Sequence, residues 1–160
     1  MRTSIDDIAP AFVEMAHSIV WCTVATVTPA GDPSTRVLHP IWEWDGDRLQ
    51  GWIATSPHSP KAVDLAANPN VSLTYWAPSQ DTCTAHCTTT WLTSLEERRA
   101  GWDRFAQAPA PVGYDPSIIP GWIAPDADAF GILHLRPTRL RVQPASVLMT
   151  GTGEALTWSS

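Results

Sequence analysis

Ala54-Thr-Ser-Pro-His-Ser-Pro-Lys61-Ala-Val-Asp-Leu-Ala-Ala-Asn-Pro69 carries the single lysine of the chain. Ser59 suits an N-cap, Pro60 suits the first helical position and Asn68-Pro69 is a stop, so the spacing predicts a helix over 60–67. Lys61 then lies in the first turn, beside free backbone N–H groups and the positive end of the helix dipole. A cation is unfavourable there unless an anion sits between it and the helix. Helix N-termini attract anions, and Thr55, Ser56 and Ser59 add hydroxyl donors. The stretch reads as a phosphate-binding turn, with a solvated surface lysine as the alternative.

Working outward, the period on both sides is that of strands. Upstream, residues 19–28 are rich in β-branched side chains, 29–33 are turn chemistry, 34–44 read as a second strand, and the Asp45-Gly46-Asp47 turn leads to a third at 48–55. Downstream, 71–76 and 85–92 read as the fourth and fifth strands, and 130–136 and 139–142 as two more, split by Pro137. Apolar residues at helical spacing predict an N-terminal helix over 4–18, opened by Ser4 and Asp7, with Pro10 either kinking it or starting a second one. Ser94-Leu-Glu-Glu97 is a capping box for a helix running to Gln107. Residues 108–125 form a proline-rich loop anchored by Tyr114 and Trp122, placed to cover a pocket.

This order predicts a mainly β (α+β) fold: a split β-barrel of antiparallel strands with small flanking helices, in one domain over 1–160 whose first 18 residues hold the N-terminal helix. The net charge of −6 excludes a nucleic-acid binder, which needs a basic stripe to displace counterions. No apolar run approaches the roughly 18 residues of a membrane span, and Asp6 and Asp7 occupy positions where a signal peptide is basic and then apolar, so the expected location is cytoplasmic. Cys22, Cys83 and Cys87 cannot close a disulfide framework. On a strand His86 faces away from Cys83 and Cys87, so buried thiols rather than a metal site are expected. Most of the nine tryptophans belong to the core or to an interface, with Trp42 and Trp44 on one strand face and Trp52 and Trp76 on neighbouring strands.

No nucleophile elbow, Walker loop, zinc-protease helix or dinucleotide fingerprint occurs, so no side chain stands out as catalytic. That points to a binder or to an enzyme whose cofactor does the chemistry. Arg36 opens the strand Arg36-Val-Leu-His-Pro-Ile41 and, through the following hairpin, would approach the pocket of Thr55 with a planar fork for phosphate; a surface pair with Asp32 is the alternative. His39, mid-strand, either faces a cofactor or is half buried and satisfied by backbone.

Hairpin, Arg36 strand, Thr55…Lys61 turn and Asn68-Pro-Asn-Val-Ser-Leu73 in that order resemble the pyridoxamine 5'-phosphate oxidase-like, flavin-binding split β-barrel superfamily. The resemblance implies a homodimer with cofactor sites at the subunit interface. Arg36, Val37, Leu38 and His39 would edge the ring, Ala54 and Thr55 would meet the ring or its ribityl chain, and Ser56, Ser59 and Lys61 would take the phosphate. It departs from the vitamin-B6 oxidases, where an arginine precedes the phosphate lysine; here Pro60 does, and Cys83 stands where they carry a glutamine. The Ser-Pro-Lys form is similar to actinobacterial members, many of which use the deazaflavin coenzyme F420. The implied function is hydride transfer between bound coenzyme F420, or FMN as the alternative, and a small organic acceptor; a non-catalytic flavin, deazaflavin or haem carrier or sensor is the other reading.

Overall fold

Alternating burial along the strands and capped amphipathic helices produce the architecture of the computed structural model, which describes residues 3–160. Helix α1 (Ile5–Ile19) is capped by Ser4, whose Oγ accepts from the Asp7 amide, and it buries Ile8, Ala9, Phe12 and Ala16. It passes Pro10 as one helix, with that proline on the exposed side. Met1 and Arg2, at the start of the expected domain, lie outside the described residues. Strands β1 (Cys22–Val27), β2 (Pro33–Leu38), β3 (Pro40–Trp44), β4 (Leu49–Thr55), β5 (Asn70–Trp76), β6 (Thr82–Leu92), β7 (Gly131–Gln143) and β8 (Leu156–Ser159) form one eight-stranded sheet. All its pairings are antiparallel, in the order β2-β1-β5-β6-β7-β4-β3, with β8 on β7. Helices α2 (Pro60–Ala67), α3 (Leu95–Gln107) and α4 (Ala145–Met149) flank it. The fold is the expected mainly β split barrel.

Three strand readings are corrected. The expected strand 34–44 is two, because the run breaks at His39 before Pro40, which has no amide to donate and restricts the residue before it. β2 pairs with β1 at one end of the sheet and β3 with β4 at the other, so one bend joins the two ends. Conversely, Pro137 does not split the last strand. A register shift opposite His86/Cys87 leaves Thr138 as the extra residue of a bulge, and β7 runs on. Its first half pairs with β4 and its second half with β8, so the barrel divides there. Finally, Trp52 on β4 and Trp76 on β5 are not on neighbouring strands, since β6 and β7 lie between them.

Inside the barrel, Trp42 makes an edge-on contact with Phe12 (5.0 Å between centroids) and donates Nε1–H to the Tyr75 hydroxyl at 2.8 Å. Gly51 lies against that indole, where a Cβ would come 2.7 Å from two ring carbons. Trp44 is half-buried beside this cluster, sharing the face of Trp42. A second cluster outside, built on Trp52, Phe105, Val112, Trp122, Phe130 and Ile132, fixes α3 and the proline-rich loop to the barrel. No helix among the described residues is long and apolar enough to cross a membrane.

Candidate functional site

The turn between β4 and α2 brings a cation inside the protein. Lys61 is 7% exposed, and its Nζ donates to Ser59 Oγ at 2.6 Å. Burial, reinforced by the nearby Arg36 charge, lowers its pKa from 10.5 to about 8. Ser59 occupies the N-cap position but makes no side-chain cap, because its hydroxyl donates to the Ser56 carbonyl (2.8 Å) while accepting from Lys61. Ser56 Oγ accepts from the His58 amide at 3.2 Å, leaving its own proton free to donate. Among the described residues Lys61 makes no ion pair, so the solvated-surface alternative is excluded while an unmatched buried ammonium remains.

Arg36 lies near Lys61 by a route other than the one expected. Its strand faces β1, not the Thr55 strand, and its guanidinium turns inward beneath α2. Nη1 donates to Thr26 Oγ1 (2.7 Å) and to the carbonyls of Ser34 (3.0 Å) and Val24 (3.2 Å), while Nη2 donates to Ser34 Oγ (3.1 Å). Its acid is Asp64, with Nη2 3.5 Å from Oδ2, and not Asp32. Asp64 is 6% exposed and also accepts from Thr26 Oγ1 at 2.6 Å. Sequence reading passed over Asp64. The available signal was its position one turn after Lys61 on the face that carries Leu65 inward, where an apolar side chain is the simpler choice.

Val37, Leu38, His39, Ala54 and Thr55 line one cavity of about 420 Å³, whose opposite wall includes Tyr114 and Trp122 of the proline-rich loop. Five of the residues that the resemblance assigned to a cofactor ring are therefore together, and residues of the proline-rich loop line the same cavity. Arg36 is the exception, since it does not line this cavity. His39 sits between the rings of Trp21 (5.0 Å) and Tyr114 (5.3 Å), and its Nε2 is buried without a partner. Burial holds its imidazole below the usual range, offset in part by a backbone hydrogen bond at Val112. Burial likewise pushes the Tyr114 hydroxyl up to about 12, so both titratable groups lining this cavity are neutral near pH 7. Thr55, which lines the cavity, is also the last residue of β4 before the turn that carries Lys61, so the apolar slot and the buried cation are joined through the chain.

The three cysteines are free and buried. Burial pushes Cys22 up to about 12 and the other two higher, making them inert thiols. No group of three metal-ligating side chains occurs among the described residues.

The fold is an antiparallel split barrel, and its apolar slot, walled by the proline-rich loop, is a concave, mostly apolar cavity of the kind in which small molecules bind. The chain belongs to the pyridoxamine 5'-phosphate oxidase family, whose sequence model matches residues 8–143. A Clostridium acetobutylicum protein related to general stress protein 26 of B. subtilis (pyridoxinephosphate oxidase family) superposes with a TM-score of 0.70 at 14% identity, over 96% of this chain and 95% of that one. A pyridoxamine 5'-phosphate oxidase-related, FMN binding protein from Nostoc punctiforme gives 0.64 at 15% identity, over 96% and 93%. A heme binding protein from Mycobacterium smegmatis gives 0.66 at 20% identity, over 99% of this chain and 59% of that one. At these identities the likeness is one of fold. No curated protein sequence matches the chain.

Proposed function

We propose that the protein is an oxidoreductase that binds a phosphate-bearing flavin-type cofactor and transfers a hydride between it and a small organic acceptor. The observation that carries this reading is the buried Lys61, without an ion pair among the described residues, in the turn that follows Thr55, a residue of the apolar slot lined by Val37, Leu38, His39, Ala54 and Thr55. Lys61, the first turn of α2 and the hydroxyls of Ser56 and Ser59 hold the phosphate, with Arg36 behind them. The slot excludes water from the ring. When bound, the cofactor supplies hydride chemistry, while the neutral His39 and Tyr114 orient its partner without adding charge.

Of the two rings, coenzyme F420 is favoured. Arg36 is matched by Asp64, which leaves about one net positive charge, suited to the singly charged phosphodiester of the deazaflavin rather than to the dianionic phosphate of FMN. FMN is the second reading, prompted by the FMN binding protein among the structural neighbours. A carrier that binds without turnover fits the same site. Quenching of cofactor fluorescence, measured for both ligands at equal ionic strength, tests the choice. Submicromolar FMN binding without deazaflavin binding reverses it, and binding of neither removes the reading. Oxidation of the reduced complex by candidate acceptors separates enzyme from carrier.

The working unit is a homodimer. Trp21, Val37 and Ile118 line the slot yet are 59%, 62% and 68% exposed, and Ile123 beyond them is 84% exposed, an apolar rim that a second copy would cover. Sedimentation is expected at twice 17.4 kDa, and a stable monomer would remove the interfacial site. Its place is the cytoplasm, where three free thiols stay reduced; cell fractionation checks this.

A further inference from the structure

The buried carboxylate of Asp64 has a role that helix α2 does not require. A charge in this position is costly unless matched, and an apolar residue beside Leu65 would serve packing better. Its side-chain contacts are with Thr26 and Arg36, and Arg36 is close enough to Lys61 for its charge to help lower the lysine pKa. Oδ2 takes the Thr26 hydroxyl at 2.6 Å and stands 3.5 Å from Arg36 Nη2, while Thr26 in turn accepts from Arg36 Nη1 at 2.7 Å. Both η nitrogens of Arg36 are thus spent on protein acceptors, and its charge is balanced from within the barrel. Lys61, three residues before Asp64, has no such acid.

We infer that Asp64 is the specificity-determining residue of the phosphate pocket: by holding Arg36 it fixes the net charge at about one, so that the site selects a phosphodiester monoanion over a phosphomonoester dianion. The inference rests on the phosphate site proposed above and deepens it by assigning the choice between phosphodiester and phosphomonoester, on any ring, to the one carboxylate of Asp64. Removing the carboxylate charge returns the full charge of Arg36 to the pocket. The gain scales with ligand charge, so a dianion benefits about twice as much as a monoanion. At a separation of several ångströms and the effective dielectric of a partly wet site, the ratio of the two affinities moves by on the order of tenfold.

The test uses the full chain and three ligands on one ring: the phosphomonoester, a phosphodiester and the form without phosphate. For the flavin ring these are FMN, riboflavin 4',5'-cyclic phosphate and riboflavin; the ring is whichever the fluorescence titration shows to bind. Affinities are measured at pH 7.5, where the monoester is largely dianionic. Wild type should bind the diester at least as tightly as the monoester. Asp64→Asn, which keeps the shape and a hydrogen bond to Thr26, should shift the ratio about tenfold toward the monoester without changing riboflavin affinity. Asp64→Glu should restore the wild-type ratio. An unchanged ratio in Asp64→Asn overturns the inference. So does a wild type that prefers the monoester by more than about tenfold, a result that needs no variant to fold. If wild type binds all three alike, the phosphate pocket itself is wrong, which is a different failure.

Discussion

Replacing Lys61 by methionine should move stability and affinity in opposite directions. The side chain is almost wholly buried, and its pKa falls from 10.5 to about 8 because burial penalises the ammonium. A depression of that size corresponds to roughly 3 kcal/mol against the charged form, and water reaching the amine reduces it to about 1–2 kcal/mol. Methionine fills a similar volume without the charge, so the ligand-free variant should be more stable by that amount, raising Tm by several degrees. The folded pKa lies below the unfolded one, so the unfolded chain binds more protons between about pH 8 and 10.5, and wild-type stability rises with pH across that window. The advantage of methionine is therefore largest below pH 8 and fades toward 10.5. Affinity for the phosphate-bearing cofactor should fall by about 10- to 100-fold, the loss of one charge-assisted hydrogen bond. Thermal unfolding of the empty protein at pH 7 and pH 10, with a cofactor titration at pH 7, reads both effects. A variant no more stable than wild type that binds the cofactor equally well would refute the reasoning.

Cofactor affinity of the wild type should be flat below pH 8 and weaken above it as Lys61 loses its proton, whereas Lys61→Arg should remain flat to pH 10; a titration series in pH shows either. Gly51→Ala pushes a methyl to 2.7 Å from the Trp42 ring and should cost about 1–3 kcal/mol of stability in urea unfolding. Tyr75→Phe leaves the buried indole N–H of Trp42 without its acceptor and should cost a similar ~1–3 kcal/mol, with the denaturant slope unchanged.

Local chemistry made the turn at 54–69 legible: a proline after a serine, a lone lysine and an Asn-Pro stop have few other meanings. Helix α3 was legible for the same reason, since both hydrogen bonds of its capping box form between Ser94 and Glu97. The errors fall where distant strands decide. Pro40 and Pro137 carry the same local signal, yet one ends a strand and the other sits beside a bulge, because the ladder to β6 resumes on both sides of Pro137 whereas at His39 the chain leaves β1 for β4. The same non-locality hid the route of Arg36 and its match with Asp64, 28 residues away, since nothing in either segment announces that α2 packs on β1, the strand beside that of Arg36. α4 and β8 went unread because a five-residue helix and a four-residue strand have too little periodicity to register.

The bend at His39 gives a ligand in the slot unusual reach. Strands β2 and β3 belong to opposite ends of the hydrogen-bonded ladder yet meet at this one residue, which lines the cavity. A molecule wedged against His39 clamps both ends at once. The signature is amide exchange slowed together in the β1–β2 and β3–β4 ladders, two regions that share no hydrogen bond, with far less change in β5 and β6 between them.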